Sequence, residues 1–121
     1  MISSGLLFII AALHLYFLAL EMYFWTKPLG LKIFRQSQQQ AEASKVLAAN
    51  QGLYNGFLAA GLIWAALEPD PKKAVSLAIF FLGCVTIAGA YGGWTVGKKI
   101  FFIQSVPAIL NLVLLFWETA A

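Results

Sequence analysis

Four apolar runs joined by short charged connections constrain this chain more than any other feature of its sequence. They cover residues 2–25, 50–67, 74–96 and 100–117. Charged residues make up only 11% of the chain, whereas soluble domains carry about 25%. Because about 20 apolar residues in a helix span a bilayer core, the sequence predicts an all-α membrane protein. We expect a single domain over residues 1–121, folded as a four-helix transmembrane bundle.

The connection after the first run is the longest, at residues 26–49, and it is basic. Lys32 and Arg35 lie beside Leu29, Ile33 and Phe34, a pattern typical of a short helix in the headgroup layer. Residues 41–49 contain strong helix formers, so the second membrane helix should extend beyond the bilayer. The sequence therefore predicts a short interfacial helix after the first span, on the cytoplasmic side.

The distribution of cations predicts the orientation of the four spans. The first and third connections together carry six cations, and the second carries two that are offset by Glu68 and Asp70. Cytoplasmic loops are enriched in Lys and Arg. We therefore expect a multi-pass protein of the bacterial inner membrane, with the first and third connections in the cytoplasm and both termini outside.

Small residues recur at helical spacing in two of the runs. Gly52, Gly56 and Ala60 are each four residues apart in the second run, and the third run has a glycine stripe at residues 89, 93 and 97. Small residues let membrane helices approach closely. The two stripes predict close helix packing and a homo-oligomer.

Polar residues interrupt all four runs. His14 and Glu21 are seven residues apart on the first run, so they share a helix face, and Gln51 and Asn55 share a face of the second. With antiparallel threading, the polar side chains of the four helices should meet near the cytoplasmic side, with two of them deeper in the bilayer. The candidate ligand-binding residues are Glu21, His14, Gln51, Asn55, Tyr91, Gln104 and Asn111.

Ionisable groups within a membrane are costly and usually mark a function. Glu21 and His14 are therefore also the candidate catalytic acid–base residues. Two other interpretations remain open: the polar groups could satisfy one another and fix helix register, or they could form an ion or proton path.

Other kinds of site find no support in the sequence. Cys84 is the one cysteine and His14 the one histidine, so we expect neither a metal site nor a cofactor. The basic residues sit in loops between apolar runs, which indicates lipid headgroups as partners and no nucleic acid.

The segment at residues 50–61, together with His14 and Glu21-Met22 upstream, resembles a family of small bacterial integral membrane proteins of unknown function. The resemblance covers essentially the whole chain and implies a four-helix membrane protein. The layout is also similar to that of the membrane-bound glutathione-transferase and eicosanoid-synthase superfamily. The arginine-rich thiol-binding motif of that superfamily is missing, since Arg35 is the one arginine.

These observations leave three classes of function. The first, which we favour, is a pocket on the cytoplasmic side that binds a lipophilic small molecule. The second is a small oligomeric transporter or channel with Glu21 as its proton site. The third is an assembly subunit of a membrane complex without a ligand.

Overall fold

The computed structural model describes residues 1–120, and all of its regular structure is helical. This confirms the all-α class. The last helix has three consecutive parts: a short α-helix, a π-helical turn at Phe101–Ser105 and a longer α-helix. The α-helices are α1 Ile2–Met22, α2 Pro28–Phe34, α3 Gln38–Leu67, α4 Pro71–Thr95, α5 Lys98–Ile100 and α6 Val106–Ala120.

Three of the described helices are long and apolar enough to cross a membrane. They are Ile2–Met22, Pro71–Thr95 and the continuous last helix Lys98–Ala120. The sequence analysis expected four such helices. Helix α3 has 30 residues, but its carboxamides lower the hydropathy of the segment expected to span, and it does not qualify.

The first helix ends at Met22, three residues earlier than expected, because the chain turns sharply. The amide of Phe24 bonds back to the carbonyl of Ala19 at 3.1 Å, and that of Lys27 bonds to Phe24 at 3.0 Å. Gly30 then passes so close that a Cβ there would lie 2.0 Å from the carbonyl oxygen of Phe24. This turn requires glycine at position 30.

The short helix predicted between the first two apolar runs is confirmed as α2, and its position in the headgroup layer stays a prediction. Pro28 occupies its first turn, where a missing N–H costs nothing. The helix ends at Arg35, which adopts the left-handed conformation with φ 51°.

The helix predicted at residues 50–67 does extend back without a break, since α3 begins at Gln38. That this extension lies beyond a bilayer stays a prediction. A capping box starts the helix. Ser37 Oγ accepts from the amide of Gln40 at 3.1 Å, and Gln40 Oε1 accepts from the amide of Ser37 at 2.9 Å.

The π turn in the last helix lies directly before Pro107. The amide of Val106 bonds to the carbonyl of Phe101, five residues back. Proline has no N–H to continue the regular ladder. A proline inside a membrane-type helix is expected to interrupt its regular hydrogen bonds, and here the interruption is one π turn.

By backbone proximity the chain divides into two compact units, whose boundaries fall inside α1 and α3. Of the described residues, the first comprises 1–11 and 60–120, and the second comprises 12–59. The expectation of a single domain stays a prediction.

In the first unit, glycines of α4 allow the last helix to come close. A Cβ at Gly89 would lie 2.2 Å from Ser105 Oγ, and one at Gly93 would lie 2.7 Å from Phe101 Cβ. Close packing through this stripe is confirmed at both positions. The prediction of close packing is wrong at Gly97, where a Cβ would meet nothing within 4 Å, because α4 has already ended.

In the second unit, the small residues of α3 lie against the end of α1. A Cβ at Gly52 would lie 2.7 Å from Met22 Cγ, and one at Gly56 would lie 2.8 Å from Leu18 Cδ1. Trp25 donates to Ser44 Oγ at 3.1 Å, which fastens the turn after α1 to α3. Gly52 and Gly56 thus serve a contact within one chain, whereas Ala60, the third member of the predicted stripe, is exposed. Self-association through the stripes stays a prediction.

Candidate functional site

The end of α1 and the middle of α3 meet in a buried carboxyl–amide pair. Asn55 Nδ2 donates to Glu21 Oε1 at 2.5 Å, and each residue is 7% exposed. The pair forms because Gly52, one turn before Asn55, lets the backbone of α3 approach Glu21 Cβ. Two of the predicted site residues are thus brought into direct contact.

A cleft of about 330 Å³ opens beside this pair, within the second unit. Glu21 lies in its wall, and Lys45 and Asn50 contribute further polar groups. Lys45 also pairs with Glu42 at 3.2 Å on the exposed side of α3. Most of the remaining lining residues are apolar: the whole lining is Glu21, Met22, Tyr23, Trp25, Thr26, Lys45, Val46, Ala49 and Asn50.

His14 is fully buried, two helical turns before Glu21 on α1. The ring of Phe17 stands edge-on to the imidazole, with 5.5 Å between centroids. His14 is not among the residues that line the cleft. Its acid–base role stays a prediction.

Two candidate residues lie on the surface of the chain, contrary to the inward position that we expected. Gln51 is exposed, although Asn55 one turn later is buried. Tyr91 is 64% exposed and its ring packs edge-on against Trp94. Helix α3 presents Gly52 and Asn55 to α1, and Gln51 falls outside that contact.

The other two candidates lie on the last helix, in the first unit. Gln104 is partly buried in the π turn. It packs against Gly89 of α4, where an added Cβ would lie 2.8 Å from the Cβ of Gln104. Asn111 is fully buried. With its amide nitrogen facing Ser3 O and its amide oxygen facing Leu7 N, each at 3.3 Å, it bridges the first turns of α1.

Glu118, seven residues after Asn111, also holds the start of α1 against the last helix. Its carboxylate accepts from the amide of Ser3 at 3.2 Å and from the Ser3 hydroxyl. A carboxylate at a helix N-terminus satisfies free amides and is favoured by the helix dipole. The seven-residue spacing of Asn111 and Glu118 thus marks a real helix face, and here that face holds α1.

Two buried serine contacts were missed by the sequence analysis. Ser105 is fully buried and donates to the carbonyl of Thr86 at 2.7 Å, and Ser3 is 3% exposed. Serine is common in apolar helices, so neither position stood out. The spacing of Glu118 from Asn111 was the one available signal, and it pointed to the helix face without its partner.

Among residues 1–120, no three His, Cys, Asp or Glu side chains cluster as metal ligands do.

The fold and these contacts define a class of protein: a small all-helical chain with three helices apolar enough to cross a membrane and polar side chains buried among them. The chain belongs to the family described as "Protein of unknown function (DUF1304)", which matches residues 8–116. The predicted resemblance to a family of unknown function is therefore confirmed.

The chain is also similar to a protein of Lactococcus lactis subsp. lactis (strain IL1403) described as "Uncharacterized protein YpaA". The two are 31% identical over 108 residues, which is 87% of this chain and 88% of that relative. No solved structure matches the chain. The architectural similarity to the glutathione-transferase superfamily stays a prediction.

Proposed function

We propose that the protein is a four-span protein of the bacterial inner membrane that binds a lipophilic small molecule in the cleft beside Glu21. One observation carries the binding proposal. A carboxyl group that is 7% exposed lies in the wall of a largely apolar cleft, on a helix otherwise suited to a membrane. Burying such a group is costly and usually marks a functional site, so its position supports a role in binding.

The cleft suits an amphiphile better than a fully polar ligand. Trp25, Met22 and Val46 provide apolar surface, while the Glu21 carboxyl and the Lys45 ammonium provide polar groups. Asn55 occupies one acceptor position of the carboxylate, which has about four. A ligand with an apolar body and one polar end matches this arrangement.

The proposal includes α3 as the fourth span, through residues 50–67. Carboxamides in a membrane helix are tolerated when they bond within the protein. Asn55 does so with Glu21, and Gly52 and Gly56 face α1 instead of lipid. The polar residues that lower the hydropathy of this segment are thus partly covered by protein.

The many large apolar side chains on the surface support a membrane setting. Ile9 is 65%, Ile87 71% and Phe116 74% exposed, one on each of the three apolar helices. Soluble monomers rarely expose apolar surface over large contiguous areas. The exposed apolar side chains are therefore suited to contact with lipid.

Native mass spectrometry of the chain in mild detergent tests the binding proposal. We expect the wild type to retain a small molecule, and Glu21→Gln to retain at least about tenfold less, as loss of a charge-assisted hydrogen bond predicts. Glu68→Gln is the matched control, because Glu68 contacts only residues outside the cleft lining, and it should retain the molecule fully. Retention that is equal in all three proteins, or absent from the wild type, would contradict the assignment.

A further inference from the structure

A second depression lies in the first unit, where α4 ends and the last helix begins. It measures about 350 Å³ and is largely apolar. Gly93 has no side chain there and sits against Phe101, so the two helices touch and leave a groove along their junction. Its lining is Ala90, Gly93, Trp94, Lys98, Phe101 and Phe102.

The charge at this groove is uncompensated. Lys98 lines it, Lys99 follows directly, and both side chains are exposed. The sequence contains no acidic residue between Asp70 and Glu118. Both ion pairs within residues 1–120 lie elsewhere, at Lys45–Glu42 and Lys73–Glu68.

The aromatic residues of the groove fit a position at the edge of a bilayer. Trp94 is 84% exposed and Phe102 62% exposed, and both lie within a few residues of the lysines. Tryptophan and lysine at a helix end are the usual anchors of the membrane interface. The groove thus joins an apolar surface for a hydrocarbon chain to a cationic end for a headgroup.

We infer that this groove binds an anionic phospholipid, with one acyl chain along Trp94 and Phe102 and the phosphate beside Lys98 and Lys99. Juxtamembrane lysines attract anionic lipids electrostatically, and an apolar groove beside them turns a diffuse attraction into a defined site. This site is separate from the Glu21 cleft, because no residue lines both.

The test is a lipid titration of the purified full-length chain followed by native mass spectrometry. The probes are dioleoyl phosphatidylglycerol and dioleoyl phosphatidylcholine, which share acyl chains and differ in net charge. We expect the wild type to retain the anionic lipid at least about tenfold better, since each lysine near the headgroup contributes. The double variant Lys98→Gln/Lys99→Gln should retain the two lipids equally.

Two further variants separate a groove from a general charge effect. Ala90→Leu places a larger side chain in the groove at an exposed position, and it should lower retention of both lipids. Lys72→Gln/Lys73→Gln removes the other adjacent lysine pair and should keep the wild-type preference. An equal loss of preference in the two lysine variants, unchanged retention in Ala90→Leu, or competition by inorganic phosphate alone would overturn the inference.

Because Glu21→Gln leaves this groove intact, it should keep the lipid preference whatever happens to the small molecule in the cleft. The lipid site rests on the proposed membrane setting, but its experiment and that of the Glu21 cleft succeed or fail independently.

Discussion

Glu21 and Asn55 are the residues on which the proposed function depends. Their hydrogen bond joins two helices across 34 positions of sequence, and both side chains are almost fully buried. Removing one partner of a buried pair leaves the other without its bond, and this costs more than replacing both. The pair can therefore be probed separately from any ligand.

We predict that Asn55→Leu lowers the free energy of unfolding by about 1–3 kcal/mol, because the Glu21 carboxyl loses its donor. Thermal unfolding in detergent, followed by circular dichroism, measures this. The double variant Glu21→Leu/Asn55→Leu should recover much of the loss, since no buried polar group is left unpartnered. Gln51→Leu is the control, because Gln51 is exposed on the same helix and does not line the cleft. Equal stability of Asn55→Leu and Gln51→Leu would refute the contribution of the pair.

At the scale of elements, the contact between α4 and the last helix depends on the absence of a side chain at Gly89. A Cβ there would lie 2.6 Å from the backbone nitrogen of Ser105, and backbone cannot swing aside as a flexible side chain can. The same helix carries Gly83, where a Cβ would meet nothing within 4 Å.

This difference gives a prediction with a matched control. Gly89→Ala should lower the free energy of unfolding by about 1–3 kcal/mol through overpacking. Gly83→Ala should raise it by up to about 1 kcal/mol, because alanine favours a helix over glycine. Both are measured by thermal unfolding of the purified chain. Identical effects of the two substitutions would show that α4 and the last helix do not approach as closely as described.

At the scale of the whole molecule, the proposed orientation in the membrane depends on the distribution of cations. The cation count predicts that the connection at residues 26–49 lies in the cytoplasm and the turn at residues 68–70 outside. In the structure, that turn is compact: Glu68 accepts from Trp64 at 3.2 Å and pairs with Lys73 at 3.6 Å, and Asp70 caps α4.

We predict that a cysteine at Gln39, in a Cys84→Ala background, reacts with an impermeant maleimide only after cells are opened. A cysteine at Pro69 should react in intact cells. Both positions are exposed, so accessibility within the protein is the same. The reverse pattern would place both termini in the cytoplasm and move the Glu21 cleft to the opposite leaflet.

Much of the local structure could be read from the sequence. Apolar runs predicted the long helices, the mixture of basic and apolar residues predicted the short α2, and helix formers predicted the extension of α3. These signals suffice because they depend on neighbours along the chain. The signals at helix ends were weaker. The first span ended three residues early, since the turn that stops it depends on Gly30 approaching Phe24.

The site was only partly readable. Spacing put Gln51 and Asn55 on one face, yet only Asn55 is buried, because the orientation of α3 is set by the contact of Gly52 with α1. Spacing likewise put Asn111 and Glu118 together, but their partner Ser3 lies more than a hundred positions away. Sequence periodicity shows which residues share a helix face, but it does not show which other helix that face contacts.

The sequence by itself determined the helical class, the apolar character and the membership of the family, because composition and local pattern suffice for these. Only the tertiary structure decided that Glu21 bonds to Asn55, that Asn111 and Glu118 hold α1, and that the glycine stripes are used within the chain. Such contacts join residues far apart in sequence, and at Gly52 and Gly89 they depend on the absence of a side chain that would keep two helices apart.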